Sequence, residues 1–252
     1  MDKIKVVFQD EPKLERPILI EGLPGVGNVG KLAAEHLLDQ IKAKKFADVY
    51  SQYFPPQVIV NDDGTIKLVN NELYYSKGEG NRPDLIILVG DYQGLTPEGQ
   101  YDLSDFVIGL AKKYDVRMIY TLGGYGIGKM VENPRVLGAA TSVDLVDDMK
   151  KKGVIFSKGE PGSGIVGASG LLLGLGKVHG MNAVCLMGET SGYFVDPKGA
   201  EAVLRVLADI LNVKIDFAEL ENKAEQIDLI TSKLKEIETP NEPKREDLGY
   251  IG

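Results

Sequence analysis

The sequence has few of the residues on which disulfide-rich and metal-binding proteins depend. Its 252 residues include one cysteine, Cys185, and two histidines, His36 and His179. A single cysteine excludes an intramolecular disulfide framework, and neither histidine has a second ligand at the spacing of a zinc site. We therefore expect no metal and no cofactor. Cys185 lies in the apolar run 183–187 and is expected to be an inert core residue.

Positive charge and long apolar runs are also scarce. The formal net charge is −8, from 29 Lys and Arg against 37 Asp and Glu, and no long basic patch occurs. We therefore expect no nucleic-acid partner. No apolar stretch reaches the length of a membrane span, and residues 1–7 lack the pattern of a signal peptide. The sequence thus predicts a cytoplasmic protein with no membrane partner.

What the sequence has instead is a regular alternation of apolar runs and helical patterns. Continuous apolar runs over residues 18–20, 85–89, 118–121 and 183–187 favour buried strands. Helical periodicity covers residues 29–41, 97–114, 143–152, 168–179 and 197–211. This alternation predicts an α/β fold with a mostly parallel sheet sandwiched by helices. Asp62-Asp63-Gly64 between two β-rich runs predicts a β-hairpin extension of the sheet within residues 50–75.

Glycine is abundant, and two seven-residue segments share one pattern. Pro24-Gly25-Val26-Gly27-Asn28-Val29-Gly30 recurs as Pro161-Gly162-Ser163-Gly164-Ile165-Val166-Gly167. Each contains G-x-G-x-x-G and precedes a predicted helix. Such a segment either binds an anion through backbone N–H groups or turns the chain tightly from a strand into a helix.

Two observations weaken the nucleotide-binding interpretation of the first segment. Residues 25–31 fit G-x-x-x-x-G-K, but a P-loop continues with Ser or Thr for Mg²⁺ and position 32 is Leu. A dinucleotide site needs an acid at the end of a second strand. The candidate acid is Asp48, but it precedes an aromatic run instead of ending an apolar strand. We therefore interpret both segments as structural turns. Residues 25, 27, 162 and 164 are expected to need positive φ angles or close backbone packing.

An enzymatic alternative remains at the ends of the predicted strands. Asp91 follows the run 85–90 and Glu189 follows the run 183–188, where α/β sheets place ligands. Two carboxylates could act as acid and base or hold a cation. The alternative is thus a small-molecule or nucleotide-binding enzyme. No nucleophile elbow or Ser–His–acid set accompanies these residues, so no catalytic residue is assigned. The ligand loop of such an enzyme would comprise Gly25, Gly27, Gly30, Lys31, Asp91, Gly162, Gly164 and Glu189.

The composition changes near residue 217, so we divide the chain into an α/β globular domain (1–216), an amphipathic helix (217–237) and a flexible tail (238–252). Leu220, Ile227 and Leu234 recur every seven residues, and Ile230 lies on a second apolar row. We expect this helix to contribute an oligomer interface because an apolar stripe of this kind is costly in water.

The tail is predicted to be a polar linker with a hydrophobic end. Residues 239–247 contain two prolines and a high density of charge, which disfavours ordered structure. The chain ends with Leu248, Tyr250, Ile251 and Gly252 around a further glycine. These residues form either a partner-binding docking peptide or an ordinary frayed terminus.

Three segments together resemble the archaeal homologues of the proteasome assembly chaperones. They are residues 22–30, residues 162–167 with the leucines of 171–175, and Gly188-Glu189-Thr190-Ser191-Gly192-Tyr193 followed by Asp196-Pro197. The likeness covers roughly residues 10–215. It implies a phosphorylase-like sheet and a non-enzymatic protein that binds proteasome subunits. Some archaeal sequences of this type have carried an ATP-grasp label, but no ATP-grasp pattern is present here.

The resemblance also bears on the tail and on assembly. Proteasome activators of other families end in a hydrophobic residue, Tyr and any residue. In this chain Tyr250 is third from the end instead of second, it follows Gly249, and the hydrophobic Ile251 comes after it instead of before it. The tail is therefore similar to that motif only in part. We predict a homo-oligomeric, chaperone-like scaffold whose partners are proteasome α-subunits or another assembly protein. An oligomer with an unrelated partner is the remaining alternative.

Overall fold

The computed structural model describes residues 3–156 and 164–238, with side chains as far as residue 230. The strands and helices of these ranges follow in chain order: β1 (Ile4–Phe8), β2 (Ile18–Gly22), α1 (Val29–Gln40), β3 (Lys44–Ser51), β4 (Val58–Val60), β5 (Ile66–Leu68), β6 (Asn71–Ser76), β7 (Leu85–Gly90), α2 (Pro97–Lys113), β8 (Met118–Gly126), β9 (Val136–Ala140), α3 (Val143–Lys151), α4 (Ala168–Val178), β10 (Ala183–Thr190), α5 (Pro197–Leu211) and α6 (Ala218–Glu238).

Eight of the strands form one sheet in the order β1-β3-β6-β7-β2-β8-β10-β9. The neighbours β7, β2, β8 and β10 are parallel, and they are the four strands that the apolar runs predict. The outer strands pair antiparallel. The predicted α/β class with a helix-covered sheet is confirmed.

Helices cover both faces of the sheet because its central strands are apolar on both sides. Helices α1, α3 and α5 pack on one face, where the core includes Ile20, Ile87 and Leu204. Helices α2 and α4 pack on the other, around Leu19, Ile86 and Leu172. Two helices begin at a proline directly after a side-chain cap. Thr96 accepts from the backbone N–H of Gly99 in α2, and Asp196 accepts from that of Gly199 in α5.

The predicted hairpin is present but does not extend the main sheet. Strands β4 and β5 pair only with each other, as a separate two-stranded ribbon. The antiparallel extension comes from β3 and β6 instead. The apolar run at Val154–Phe156 is not a strand, since only a single bridge joins Ile155 to Leu137.

The predicted C-terminal helix is observed as α6, which packs on α5. Residues 239–252, which include most of the predicted tail, lie outside the described residues. Among the helices that are described, none is both long and apolar enough to cross a membrane.

Candidate functional site

All four parallel strands end at the same edge of the sheet. The first glycine segment and the described part of the second, residues 164–167, lie there. We call this the carboxyl edge. It is the edge at which α/β sheets bind ligands.

The first glycine segment is a tight turn that is closed by its neighbours. A short 3-10 turn over Val26–Asn28 precedes α1, and Gly27 within it has φ +62°. A Cβ at Gly27 would lie 2.8 Å from Thr190 Oγ1, and one at Gly30 would collide with the carbonyl oxygen of Leu122. The backbone N–H of Asp196 donates to the Gly27 carbonyl at 2.8 Å. Gly27 and Gly30 therefore serve backbone packing.

The glycine prediction is wrong at two other positions. Gly25 has φ −159°, which is extended backbone. Gly164 has no atom near its Cβ position. In the described part of the second segment, the residue with a positive φ is instead Gly167, at +84°, directly before α4. Gly162 lies outside the described residues.

Gln93 joins the two glycine segments, and the sequence gives no signal for it. Its side-chain Nε2 donates to the Pro24 carbonyl at 2.7 Å, and its Oε1 accepts from the backbone N–H of Ala168 at 2.9 Å. One amide thus holds the turn before α1 and the start of α4 together.

The charged residues of the predicted ligand loop are engaged in other contacts. Lys31 Nζ lies 3.6 Å from Glu35 Oε1, one turn further along α1. Asp91 accepts from the Asn70 backbone N–H at 3.2 Å and pairs with Lys67 Nζ at 3.3 Å. The two contacts of Asp91 connect the end of β7 to Asn70 and to Lys67 of the hairpin strand β5.

Glu189 is buried and bound by Arg135. Its carboxylate accepts from the Arg135 side-chain Nε at 2.9 Å, from Nη2, and from the Arg135 backbone N–H at 3.1 Å. These hydrogen bonds hold the pKa of Glu189 below its usual range. Asp91 follows β7 and Glu189 lies in β10, with two strands between them, so three strand spacings of about 4.8 Å separate them by roughly 14 Å. The structure does not bring these carboxylates together as an acid–base pair.

The sequence prediction missed a buried acid, Glu21, at the end of β2. It is 0% exposed, and its carboxylate accepts from the Leu23 backbone N–H at 3.0 Å and from Ser169 Oγ at 2.9 Å. Burial raises its pKa to about 7, against the two hydrogen bonds, which lower it. A perturbed pKa is typical of functional sites, but this carboxylate has no exposed surface at which to meet a substrate.

The cysteine and the two histidines have structural surroundings. Cys185 is fully buried, as expected, and burial raises the pKa of its thiol to about 12. His36 Nε2 bonds to the Asp216 carbonyl at 2.7 Å, and His179 lies beside Lys112. No group of acids, histidines and cysteine that could hold a metal ion exists in the part of the chain that the structure describes.

The carboxyl edge exposes apolar side chains instead. Val166 is 91% exposed and Tyr193 75%, and Val26 is nearly half exposed beside Gly126 and Gly192. Three neighbours, Met130, Phe194 and Val195, line a small cavity with Ile227 of α6. We call these six residues the carboxyl-edge surface: Val26, Met130, Val166, Tyr193, Phe194 and Val195.

Helix α6 runs towards this surface, and its predicted interface residues differ in burial. Leu220 is 1% exposed in the core of its own chain, and Ile227 is half-buried. Ile230 is 56% exposed, and the side chain of Leu234 is outside the described residues. Leu220 is thus already covered within its own chain, and the oligomer interface stays a prediction.

The direction of α6 determines where the tail starts. Lys198, in the first turn of α5, pairs with Asp228 of α6 at 2.7 Å, so α6 reaches the carboxyl edge at that residue. The ten helical residues after Asp228 extend about 15 Å further. The predicted partner-binding residues Leu248, Tyr250, Ile251 and Gly252 lie outside the described residues.

Comparison with known proteins gives consistent matches over nearly the whole chain. MJ1210 of Methanocaldococcus jannaschii is 41% identical over 262 aligned positions, which cover 100% of both chains. PbaB of Pyrococcus furiosus, described as an archaeal proteasome activator, has a TM-score of 0.89 and 40% identity, with 93% of this chain and 100% of that chain covered. PbaA of the same organism, described as an archaeal homolog of proteasome-assembly chaperone, has a TM-score of 0.77 and 28% identity, with 93% and 92% covered.

A family model matches across the same fold. The model is that of the PAC2 family, and it covers residues 19–235, from β2 to within α6. These residues include the central strands, both glycine segments and the carboxyl-edge surface. The chain belongs to the PAC2 family.

Proposed function

We propose that this protein is a cytoplasmic, non-enzymatic scaffold of the proteasome-assembly type, which binds proteasome subunits or a related assembly protein as a homo-oligomer. The observation that carries the proposal is the similarity to PbaB over almost the full length of both chains. The match to the PAC2 family, over residues 19–235, includes the carboxyl edge and most of α6.

The geometry of the carboxyl edge supports binding more than catalysis. The space beside Gly27 and Gly30 is occupied by neighbouring atoms, Glu189 is bound by Arg135, and Glu21 has no exposed surface. The exposed residues at this edge include apolar and aromatic side chains, among them Val166, Tyr193 and Phe194, and aromatic residues are enriched at protein interfaces. Helix α6, which precedes the predicted tail, runs towards the same end of the molecule.

A binding experiment with purified components tests the proposal. The full chain is immobilised, and archaeal proteasome α-subunits and assembled core particles are passed over it, with an unrelated oligomeric protein as the control. We expect binding of micromolar affinity or tighter to the α-subunits or the core particle only. Absence of binding to both would overturn the proposal.

The enzymatic alternative has its own test at the first glycine segment. Titration calorimetry with ATP, GTP and NAD is expected to give no heat of binding, because the turn is closed by packing and Lys31 is paired with Glu35. Micromolar affinity for any of the three that is lost in Lys31→Ala would favour the nucleotide-binding alternative. This outcome is independent of the proteasome measurement.

A further inference from the structure

The hairpin β4–β5 presents an apolar face to the surface of the molecule. Val58 pairs with Leu68 and Val60 with Ile66, so all four side chains lie on one face of the ribbon. They are 46 to 67% exposed. The predicted site does not include any of them.

The opposite face of the ribbon fixes its orientation. Ile59 packs against a small cluster that contains the buried Phe54. Lys67, directly opposite Ile59, pairs with both Glu72 and Asp91 at 3.3 Å. One face is thus held to the body of the protein by packing and by charge, and the apolar face points away from it.

An exposed apolar face destabilises an element as small as a two-stranded hairpin. A two-stranded hairpin is at best marginally stable in water without further packing, and neither β4 nor β5 pairs with the main sheet. Four aliphatic side chains at these exposures form a patch of a few hundred Å², a size that on a monomer is often functional. We therefore expect another molecule to cover this patch.

We infer that this face packs against the same face of a second copy of the chain. An isologous two-fold interface requires a self-complementary surface, and this face is flat and wholly aliphatic. A two-fold axis across the strands places Val60 against Val58 of the second copy. The acidic tips, which carry Asp62 and Asp63, then lie at opposite ends.

Charge and area agree with a second copy. The net charge of −8 opposes self-association through acidic surfaces, but the four residues of this face are uncharged. A few hundred Å² is a large part of the roughly 800 Å² that each partner contributes to a standard interface. The ribbons would form the centre of the interface, with the residues around them as its rim.

Light scattering on the pure, full-length protein tests the inference. We compare the wild type with Val60→Asp and Ile66→Asp, and with Val178→Asp as a matched control, since Val178 is 78% exposed at the end of α4. Each ribbon variant is expected to weaken self-association at least about tenfold, and the control is expected to match the wild type. A wild-type monomer at micromolar concentration, or ribbon variants that keep the wild-type mass, would overturn the inference.

Cross-linking shows whether the ribbons themselves are in contact. Cys185 is the one cysteine of the chain and is fully buried, so Val60→Cys introduces a single accessible thiol. A short bifunctional maleimide is expected to link Val60→Cys into dimers and to leave Val178→Cys monomeric in denaturing gels. Equal dimer yields from the two variants, or none from Val60→Cys, would contradict contact between ribbons. Because no proteasome component is present, these results are independent of the proteasome binding in the proposed function.

Discussion

Gly27 and Gly164 occupy equivalent positions in the two glycine segments but have different surroundings. Gly27 has φ +62° and a Cβ position 2.8 Å from Thr190 Oγ1, whereas the Cβ position of Gly164 is open. Gly27→Ala is therefore expected to lower the free energy of unfolding by about 1 kcal/mol or more, because alanine at positive φ is strained. Gly164→Ala is expected to change it by less than about 0.5 kcal/mol. Urea denaturation of both variants measures the difference, and equal effects would contradict the structural role assigned to Gly27.

Glu21 makes the stability of the fold depend on pH. Its pKa is about 7 in the folded protein against an ordinary value of 4.5, so the native state binds this proton more tightly than the unfolded state. The contribution to stability is therefore fully present below about pH 4.5 and is lost as the pH rises through about 7. This direction is opposite to that of a salt-bridged carboxylate.

Replacing Glu21 by glutamine removes this pH dependence. Glu21→Gln keeps a carbonyl for the Leu23 N–H, and its amide can donate to Ser169, so the fold is expected to survive. We expect the variant to be more stable than the wild type at pH 8 and to lose the wild-type decline between pH 5 and 8. Denaturant titrations at the two pH values measure both effects. An identical decline in both proteins would show that another group causes it.

At the scale of the element, α6 combines a folding role with a predicted assembly role. Leu220 is buried against α1 and α5, so Leu220→Ala is expected to cost about 2–4 kcal/mol of stability through the cavity it leaves. Ile230 is mostly exposed, and Ile230→Ala is expected to change stability by less than about 0.5 kcal/mol. If α6 contributes an oligomer interface, Ile230→Ala lowers the mass found by light scattering. An unchanged mass would remove Ile230 from that interface.

The elements that the sequence predicts are those buried on both faces. The runs at β2, β7, β8 and β10 are continuous and apolar, and the starts of α2 and α5 are marked by Pro97 and Pro197. The outer strands β3 and β6 are missed because one of their faces is polar. Asp48 in β3 and Glu72 in β6 interrupt the apolar pattern, and the ion pair of Glu72 with Lys45 of β3 depends on the assembled sheet.

The candidate site can be predicted from the sequence only where the backbone conformation of a short segment requires a particular residue. The strand-to-helix turn needs glycine at position 27 whatever surrounds it, and the sequence shows this. The contacts of Gln93 with Pro24 and Ala168 join residues 69 and 75 positions apart in the chain. Their existence follows from the packing of α4 beside the first turn, which no local pattern encodes.

At the scale of the whole molecule, one end of the sheet gathers the features proposed for binding. The first glycine segment, residues 164–167 of the second, and the carboxyl-edge surface lie at the carboxyl edge, and α6 reaches it at Asp228. The predicted hairpin interface uses Val60 and Ile66, on a ribbon that is held to the β6 side of the sheet by Lys67. Self-association and partner binding would thus use different surfaces, so that an oligomer could present several tails to one partner and gain avidity.

The tail gives the last prediction. From their composition, residues 239–247 are expected to act as a linker that reaches up to about 30 Å when extended. Tyr250 is the residue best suited to anchor such a peptide, because it buries a large ring and keeps one hydrogen-bonding group. Deletion of residues 248–252 is expected to abolish binding to proteasome α-subunits in the immobilised-chain assay. The mass and unfolding curve of the truncated protein should match those of the full chain.

Two further variants distinguish the tail from the carboxyl-edge surface. Tyr250→Ala should weaken binding nearly as much as the deletion, whereas Tyr193→Ala tests the largest exposed aromatic ring of the carboxyl-edge surface. If the truncated protein binds as tightly as the full chain and Tyr193→Ala does not, recognition lies on the carboxyl-edge surface and the tail is not the docking peptide. If truncation alone removes binding, the tail makes the contact, and the carboxyl edge serves to direct α6 towards the partner.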